Sequence, residues 1–528
     1  MKEKREPAHK KATDTDLPED WREFRGLRNQ VTAKLRQDKQ MWEKEKLDLQ
    51  KNNPTGVWKT VKNWLGWGTS GTPTQLFWEG RMVTSPAGLA SAMNNFFLDK
   101  IRKLRCSIPP PTSDPTKKLK EAMRGRNCTF IIHQVDTEEV FKHIKHLKNS
   151  SATGVDYIDT KTIKLVADVI APALTHIIDL SIQTSIFPQT WKWAKVVPLL
   201  KSSSADPILP KSYRPVALLP ILSKIMEKVV FNQLVKYLEE NDIVHPNLHG
   251  SRAGHDTSTA LLQLYDRWVE ELEEDNMVGV LLCDQSAAFD LCDHTILLEK
   301  LHLMGLEQSA ILWMKSYLSG RTQSCFVDGE LSKPLKLLEC GVPQGSIGGP
   351  LLWLCFTIDQ PDAVHDHLVD GKDVHRGCPA QVQDGVGRVV SGEGCGELVG
   401  YVDDGAYSYG HNDPQVLSEV LTKKYKQLEH WMVNNKLVIN ADKTHLMVIG
   451  TRRSATARQL VHMMAGEHCV RPTKTEKLLG GQIHESLRWN EHISDSKSSL
   501  IKQFNSRNNA LKRISQNVLS VFKVLRPN

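Results

Sequence analysis

The sequence contains no apolar segment that is long enough to cross a membrane as a helix. Its longest apolar runs, Val216–Leu222 and Val278–Cys283, fall far short of the ~20 residues that a spanning helix needs. The charged N-terminus, MKEKREPAHKK, is not followed by the apolar stretch of a signal peptide. These absences predict an intracellular protein without membrane contact, located in the nucleus, in the cytoplasm or in both.

Metal-binding cysteine pairs are also absent. The chain has 10 cysteines among its 528 residues, but no two are spaced as C-x-x-C, which excludes zinc ribbons and zinc knuckles. Hydrophobic residues make up 40% and charged residues 24%, which is ordinary for a folded protein and excludes a fibrous or wholly disordered chain. The net charge of +7 is mildly basic, and the basic terminal segment over 484–528 suits a polyanionic partner, although a solvated helix face would look similar.

Composition and apolar spacing divide the first quarter of the chain into three segments. Residues 1–20 are charged and contain proline, which predicts a disordered tail. Apolar residues recur at helical spacing after Trp21 and over 86–104, which predicts a helical N-terminal extension over 21–108. The proline run that begins at Pro109 predicts a linker over 109–128.

The region from 129 to 483 mixes helical and strand periods. The patterns predict helices at Leu222–Leu238, Leu261–Leu272 and from Asp413-Pro414 to Asn434; strands at Met277–Cys283, Lys436–Ile439 and His445–Ile449; a hairpin of Thr322–Val327 and Leu335–Leu338 about Asp328-Gly329; and a short helix around Trp58–Leu65 upstream. Residues 371–400 are rich in glycine and poor in large apolar groups, which predicts a loop or an insertion outside the core.

Three separated motifs carry groups suited to catalysis. Asp284 ends a predicted buried strand, Asp403 and Asp404 lie at the tip of a predicted hairpin (YVDD), and a glycine-rich loop spans Gly341–Pro350. Carboxylates at strand ends suit hard divalent cations, and two Mg²⁺ ions ~3.5–4 Å apart can assist phosphoryl displacement. Taken singly, each motif has an ordinary alternative, since an Asp-Asp pair is usually a solvated turn and a strand-end Asp is usually a cap.

Further motifs surround these three in a fixed order along the chain. They are Ser151–Asp156, Trp193–Lys201, Tyr213–Pro220, His249–Arg252, Thr257–Leu262 and Asn440–Thr444. The ordered set resembles the reverse transcriptase family, most closely the polymerase of LINE-type (non-LTR) retrotransposons. The resemblance covers residues 150–483, with a reverse transcriptase domain at about 182–480. The Trp-rich and Asn94–Phe97 segments resemble the part that precedes this polymerase.

The resemblance implies an α+β fold of the right-hand polymerase type. It assigns fingers and the start of the palm to 129–275, a ferredoxin-like palm to 276–483 with a glycine-rich insertion at about 366–399, and a partial helical thumb to 484–528. It implies RNA-directed DNA synthesis, with an RNA template, a DNA primer or target and dNTPs as partners. Residues 1–130 are too short for the family's endonuclease, so the chain is expected to be a fragment of a longer element.

The resemblance also implies a role for individual residues. Asp284, Asp403 and Asp404 would be the catalytic carboxylates that hold two Mg²⁺ ions, with Mn²⁺ as a substitute. Lys201 and Arg214 would meet the triphosphate, Gln344 and Gly345 would contact the nascent base pair and template, and Lys443 would be a general acid for pyrophosphate. For the two fingers cations and for Lys443, exposed surface charge is the alternative interpretation.

Phe289 lies five residues after the first aspartate, where related RNA-dependent RNA polymerases have an Asp that recognises the ribose 2′-OH. A ring at this position would clash with a 2′-OH and favour deoxynucleotides; the alternative is a plain core residue. Asp290 is interpreted as a structural turn residue. The sequence departs from the family at Ser251, Gln285 and Val402, where Phe, a small apolar residue and Ala are more usual.

Three other functions remain open from the sequence. A group II intron-type maturase would bind structured RNA and aid splicing, and an inactive retroelement remnant would bind RNA without extending a primer. An RNA-dependent RNA polymerase is disfavoured by Phe289 and by Tyr401-Val402 before the two aspartates.

Overall fold

The computed structural model describes residues 2–15, 17–48, 71–150, 152–202, 204–285, 287–364, 381–383, 389–391, 396–439 and 444–488. These residues belong to two compact units, Met1–Ser70 with Asp495–Asn528, and Gly71–Ser494. The predicted helix at Trp58–Leu65, most of the glycine-rich insertion, Lys443 and the thumb from residue 489 onward lie outside the described residues.

The first unit contains two helices in its described part, α1 (Lys2–Thr15) and α2 (Pro18–Asp48). The prediction of a disordered tail over 1–20 is therefore wrong. Asp20 near the start of α2 forms an ion pair with Lys11 at 2.9 Å and accepts a hydrogen bond from Thr15 at 2.6 Å. Local composition predicts disorder here because it does not report contacts between two helices, and such contacts accompany the helical structure of this charged segment.

The second unit carries the remaining described helices. They are α3 (Pro86–Ser107), α4 (Lys117–Ala122), α5 (Thr137–Lys145), α6 (Thr160–Leu165), α7 (Ala167–Thr184), α8 (Ile221–Glu240), α9 (Thr257–Glu273), α10 (Ala288–Leu291), α11 (His294–Leu303), α12 (Gln308–Leu318), α13 (Gly348–Phe356), α14 (Gln360–Val364), α15 (Pro414–Asn434) and α16 (Ala455–Arg458). Short 3₁₀ turns occupy Gln189–Lys192 and Pro210–Ser212. The predicted cap of α15 is confirmed, since the Asp413 side chain accepts from the Gln415 N–H at 2.7 Å.

The described strands also lie in the second unit. They are β1 (Leu76–Trp78), β2 (Arg81–Val83), β3 (Trp193–Leu200), β4 (Tyr213–Leu218), β5 (Met277–Asp284), β6 (Thr322–Val327), β7 (Glu330–Leu331), β8 (Leu335–Lys336), β9 (Gln381–Gln383), β10 (Val389–Ser391), β11 (Glu397–Tyr401), β12 (Asp404–His411), β13 (His445–Ile449), β14 (Met463–Ala465), β15 (His468–Val470), β16 (Pro472–Thr473), β17 (Thr475–Leu478) and β18 (Gly481–His484).

Two apolar cores cover the opposite faces of a five-stranded sheet in the order β11-β12-β5-β13-β16. β5 lies in the middle and pairs antiparallel with both β12 and β13. Its apolar residues are buried on both faces, as expected for a strand covered by helices on either side. The prediction of a buried strand here is confirmed, and the strand delivers Asp284 to one end of the sheet.

A second sheet, in the order β4-β3-β6-β7 with β8 also paired to β6, is covered by α3. Leu89, Met93 and Phe97 of α3 join Val196 and Cys325 of this sheet in a separate core. The predicted N-terminal extension is therefore helical only in part, because the β1–β2 hairpin precedes α3.

Three predicted elements differ in detail. β7, rather than Leu335–Leu338, follows the Asp328-Gly329 turn directly, although β8 also pairs with β6. Lys436–Ile439 is not a strand: Lys436 has a φ of 56°, and only Ile439 forms an isolated bridge, with Gln285. The end of the glycine-rich stretch is core, since Leu398 and Val399 of β11 are buried.

The mixed helix and sheet architecture confirms the α+β class. The division into fingers, palm and thumb stays a prediction. Among the described helices, none combines the length and apolar character needed to cross a bilayer.

Candidate active site

The end of the central sheet brings the predicted aspartates together. β12 pairs with β5 without interruption, from His411 opposite Met277 to Asp404 opposite Asp284. Residues directly opposite each other in an antiparallel pair have Cα atoms about 4.5–5.5 Å apart. Asp403 precedes Asp404 in the turn between β11 and β12, so all three backbones meet at one edge.

Contacts on three sides fix this turn. The Gly400 N–H donates to Asn247 O and the His249 N–H donates to Gly400 O, both at 2.9 Å. A Cβ placed on Gly250 would lie 2.8 Å from the Val402 nitrogen, so the missing side chain allows the turn to approach closely. Val402 itself adopts a φ of 60°, which is unusual for a β-branched residue.

An aromatic pair supports the third side of the turn. Trp353 of α13 donates its indole N–H to the Val402 carbonyl at 2.7 Å. The ring of Phe289 stacks on Trp353, with centroids 5.5 Å apart and planes at 27°. The predicted nucleotide-selecting residue is therefore half-buried and also supports the indole that holds the turn before Asp403.

The glycine-rich loop is held between β4 and α8. Gly345 has a φ of 78°, and a Cβ there would lie 2.5 Å from the Ala217 carbonyl oxygen, so no other residue fits without moving the backbone. Glu227 of α8 is fully buried and accepts from the Ile347 N–H at 2.7 Å and the Ser223 hydroxyl at 2.8 Å. Burial raises the pKa of Glu227, and the nearby Arg321 cation and these donors oppose the rise.

A cleft of about 690 Å³ opens beside this loop and the turn. Four of the predicted site residues, Lys201, Arg214, Gln344 and Asp403, line it together. Six cationic side chains line the cleft, namely Lys100, Lys192, Lys201, Lys211, Arg214 and Arg321. Its lining carboxylates are Asp290 and Asp403. The excess of positive charge suits a polyanionic ligand such as a nucleoside triphosphate.

The two predicted fingers cations lie at the end of the β3–β4 hairpin. Lys201 donates to the Lys211 carbonyl at 2.7 Å, and Arg214 donates to the Lys201 carbonyl at 3.1 Å. Both side chains are exposed at the cleft. They are therefore adjacent, and an ammonium and a guanidinium are both groups that donate to phosphate oxygens.

Gln344 makes a contact that the sequence did not predict. Its Nε2 donates to the Asp290 carboxylate at 3.1 Å, and both residues line the cleft. Burial raises the pKa of Asp290 to about 6, and the Lys100 cation opposes the rise.

Sequence reasoning missed Lys100, Lys192 and Glu227. Lys192 is buried in the cleft wall, where burial and the neighbouring Arg321 lower its pKa. One signal for Glu227 was available, because a carboxylate within the apolar run of α8 needs a partner. Lys100 and Lys192 had no such signal, since only the packing of α3 and β3 brings them to the cleft.

The oxygen donors of Asp403 and Asp404 suit Mg²⁺ by their chemistry, because this ion prefers carboxylates and retains several waters. Both residues are exposed, so hydrated ions can reach them. Among the described side chains, no group of three His, Cys, Asp or Glu residues is arranged to hold a metal ion. Lys443, the predicted general acid, lies outside the described residues.

Comparison with known proteins finds one matching family, described as reverse transcriptase (RNA-dependent DNA polymerase), over residues 200–483. The RNA-directed DNA polymerase from mobile element jockey of Drosophila melanogaster is 28% identical over 362 residues, covering 68% of this chain and 36% of that protein. Its Drosophila funebris counterpart is 33% identical over 43% of this chain and 25% of its own length. The probable RNA-directed DNA polymerase from transposon BS of Drosophila melanogaster is 29% identical over 59% and 32%.

These matches cover only about a third of each relative's length or less. All the predicted site residues lie within the matched range 200–483, whereas α3 precedes it. The predicted resemblance to polymerases of LINE-type elements is confirmed.

Proposed function

Because this chain belongs to the reverse transcriptase (RNA-dependent DNA polymerase) family, we propose that it copies RNA into DNA for a non-LTR retrotransposon. The primer 3′-hydroxyl oxygen forms a bond to the α-phosphorus of a dNTP, the bond to the bridging oxygen breaks, and pyrophosphate leaves. The observation that carries the proposal is the pairing of Asp284 with Asp404 beside Asp403, at the rim of a basic cleft.

Asp284, Asp403 and Asp404 would hold two Mg²⁺ ions, with Mn²⁺ as a substitute. When bound, such ions supply charge stabilisation for the attacking and leaving oxygens. Their donor set consists only of carboxylate oxygens, which supports hard cations over zinc. Carboxylates on neighbouring strands keep a fixed separation, which favours a preorganised site.

Lys201 and Arg214 bind the triphosphate in this proposal. Lys192 and Arg321 add positive charge from the cleft wall, and Lys192 is buried, where its charge is screened less than at the surface. Gln344 and Gly345 meet the nascent base pair, with Gly345 allowing the backbone to approach. Lys443 protonates the departing pyrophosphate.

Primer extension on an RNA template with dNTPs and Mg²⁺ tests the function. The wild-type protein is expected to extend the primer, and Asp403→Ala is expected to reduce extension by about a hundredfold to a thousandfold, the usual cost of removing a charge-stabilising group. Asp266→Ala, which removes an exposed carboxylate on α9, is the matched control and keeps the wild-type rate.

Equal extension by Asp403→Ala and wild type would contradict the proposal. RNA binding without extension by the wild type would instead favour an inactive remnant. Affinity for RNA is expected to fall steeply with salt, because phosphate contacts release counterions.

A further inference from the structure

Asp290 and Gln344 form a side-chain pair inside the cleft. Gln344 Nε2 lies 3.1 Å from Asp290 Oδ1, and both side chains line the cavity. The pair joins α10, just after the strand that ends at Asp284, to the glycine-rich loop. It therefore connects two of the three motifs that the proposed function uses.

The backbones that carry this pair are fastened to each other. The Val342 N–H donates to Phe289 O at 2.8 Å, and the Gly341 N–H donates to Cys292 O at 2.7 Å. A Cβ on Gly341 would lie 2.9 Å from the Asp290 carbonyl oxygen. These contacts fix the separation of the two backbone segments, which brings the Asp290 and Gln344 side chains within hydrogen-bond distance.

The chemistry of the two groups determines the orientation of the amide. An ionised carboxylate only accepts hydrogen bonds, whereas a carboxamide donates at one end and accepts at the other. The Asp290 carboxylate therefore accepts a hydrogen bond from the –NH₂ group of Gln344, and the Gln344 carbonyl oxygen is left for a different partner. Without Asp290, the two orientations of the amide differ little in energy.

The surroundings of Asp290 disfavour the ionised form of its carboxyl group. Burial raises its pKa to about 6, so the charged form at neutral pH is held against a cost of desolvation. Perturbed carboxyl groups in clefts are frequent at functional sites.

We propose that Asp290 is a positioning residue for the incoming nucleotide, acting through Gln344. It holds the Gln344 carboxamide in one orientation, so that a fixed carbonyl acceptor and one remaining N–H face a deoxynucleoside triphosphate in the cleft. This inference rests on the proposed function, because it assigns the nucleotide to that cleft.

Single-nucleotide insertion kinetics on an RNA template test the inference. The variants are Asp290→Ala, Asp290→Asn, Gln344→Ala and the Asp290→Ala/Gln344→Ala double variant, with Asp266→Ala as control. Asp290→Ala is expected to raise the KM for dNTP about tenfold with kcat within about twofold, the scale of one hydrogen bond to a charged group. Asp290→Asn keeps an acceptor oxygen and is expected to recover most of this loss.

The double variant distinguishes action through Gln344 from independent action. If Asp290 acts through Gln344, the double variant is no worse than Gln344→Ala; independent contributions would multiply. Thermal unfolding of each variant is measured in parallel. Since burial disfavours the charged carboxyl, Asp290→Ala and Asp290→Asn are both expected to fold.

A wild-type KM for Asp290→Ala, or multiplying losses in the double variant, overturns the inference and leaves the proposed function intact. So does a lower melting temperature with reduced kcat and unchanged KM, which would indicate a purely structural role. Failure of the wild type to extend any primer overturns the proposed function first, and the inference with it.

Discussion

Phe289 illustrates how one side chain serves two neighbours. Its ring stacks on Trp353, whose N–H holds the Val402 carbonyl in the turn before Asp403. The contacts give Phe289 a role in supporting the turn, and selection against a ribose 2′-OH stays a prediction for the same side chain. Shortening the Phe289 side chain would affect both the nucleotide preference and the support of the turn. A second substitution, at Trp353, is therefore needed to separate the two roles.

Phe289→Ala is expected to reduce the preference for dNTPs over rNTPs by at least about tenfold, since removing the ring makes room for the 2′-OH. Trp353→Phe removes the indole N–H together with the five-membered ring but leaves Phe289 in place, and it is expected to slow both substrates equally. The ratio of kcat/KM values for matched dNTP and rNTP insertion measures the effect. An unchanged ratio in Phe289→Ala would show that the ring is only a packing residue.

At the scale of elements, α8 and the glycine-rich loop are joined by a buried carboxylate. Glu227 accepts from the first N–H groups at the start of α13, which would otherwise lack partners. The favourable end of the α13 dipole adds to these hydrogen bonds. The loop that carries Gln344 and Gly345 is thereby fixed at its far end by a residue more than a hundred positions earlier.

Glu227→Gln should change stability in a pH-dependent way. Burial raises the pKa of Glu227 above its ordinary value of 4.5, so the folded chain binds a proton that the unfolded chain loses as the pH rises past 4.5. The free energy of unfolding of the wild type therefore falls as the pH rises above 4.5. Glu227→Gln has no ionisable group at this position and does not show this fall. Urea unfolding at pH 5 and pH 8 measures the effect. The free energy of unfolding of Glu227→Gln relative to the wild type is expected to be higher at pH 8 than at pH 5.

Glu227→Ala serves as the comparison, because it leaves the Ile347 N–H and the Ser223 hydroxyl without their acceptor. A loss of about 1–3 kcal/mol in unfolding free energy is expected at both pH values. A stability difference between Glu227→Gln and wild type that is equal at pH 5 and pH 8 would contradict the assignment.

Elements with a strong local signal were predictable from the sequence. The apolar run of β5, the Asp413-Pro414 cap and the long helix α8 all follow from residues close in the chain. Lys436–Ile439 was predicted wrongly as a strand, because apolar composition does not reveal the positive φ that turns the chain there. The Asp290–Gln344 pair joins residues 54 positions apart, so no local pattern could have identified it.

At the scale of the whole second unit, α3 forms part of the cleft wall although it precedes the matched region. Lys100 and Ile101 line the cavity, Arg105 forms an ion pair with Asp293, and Asn94 is buried against the second sheet. The family match begins at residue 200, after α3. The candidate site is therefore assembled from more of the chain than the match covers.

Asn94 offers a test of this assembly. Its side chain donates to Gln323 O, Ser332 Oγ and Lys333 O, and accepts from Gln323 Nε2 at 2.9 Å. Asn94→Ala removes all of these hydrogen bonds at once and is expected to lower the unfolding free energy by about 2–4 kcal/mol. Asn95→Ala, at the exposed neighbouring position, is expected to change it by less than about 0.5 kcal/mol.

Thermal unfolding of the two variants measures the difference. Equal melting temperatures for Asn94→Ala and Asn95→Ala would show that α3 is not anchored to the second sheet through this amide.

The uninterrupted ladder between β12 and β5 makes the chemistry sensitive to a single codon. Loss or gain of one residue within β12 would slide Asp404 out of line with Asp284 and turn every following side chain to the opposite face. A shift of two residues would restore the faces but leave the two acids two residues out of register. A copy of such an element can therefore keep a foldable sheet while losing synthesis through one in-frame deletion.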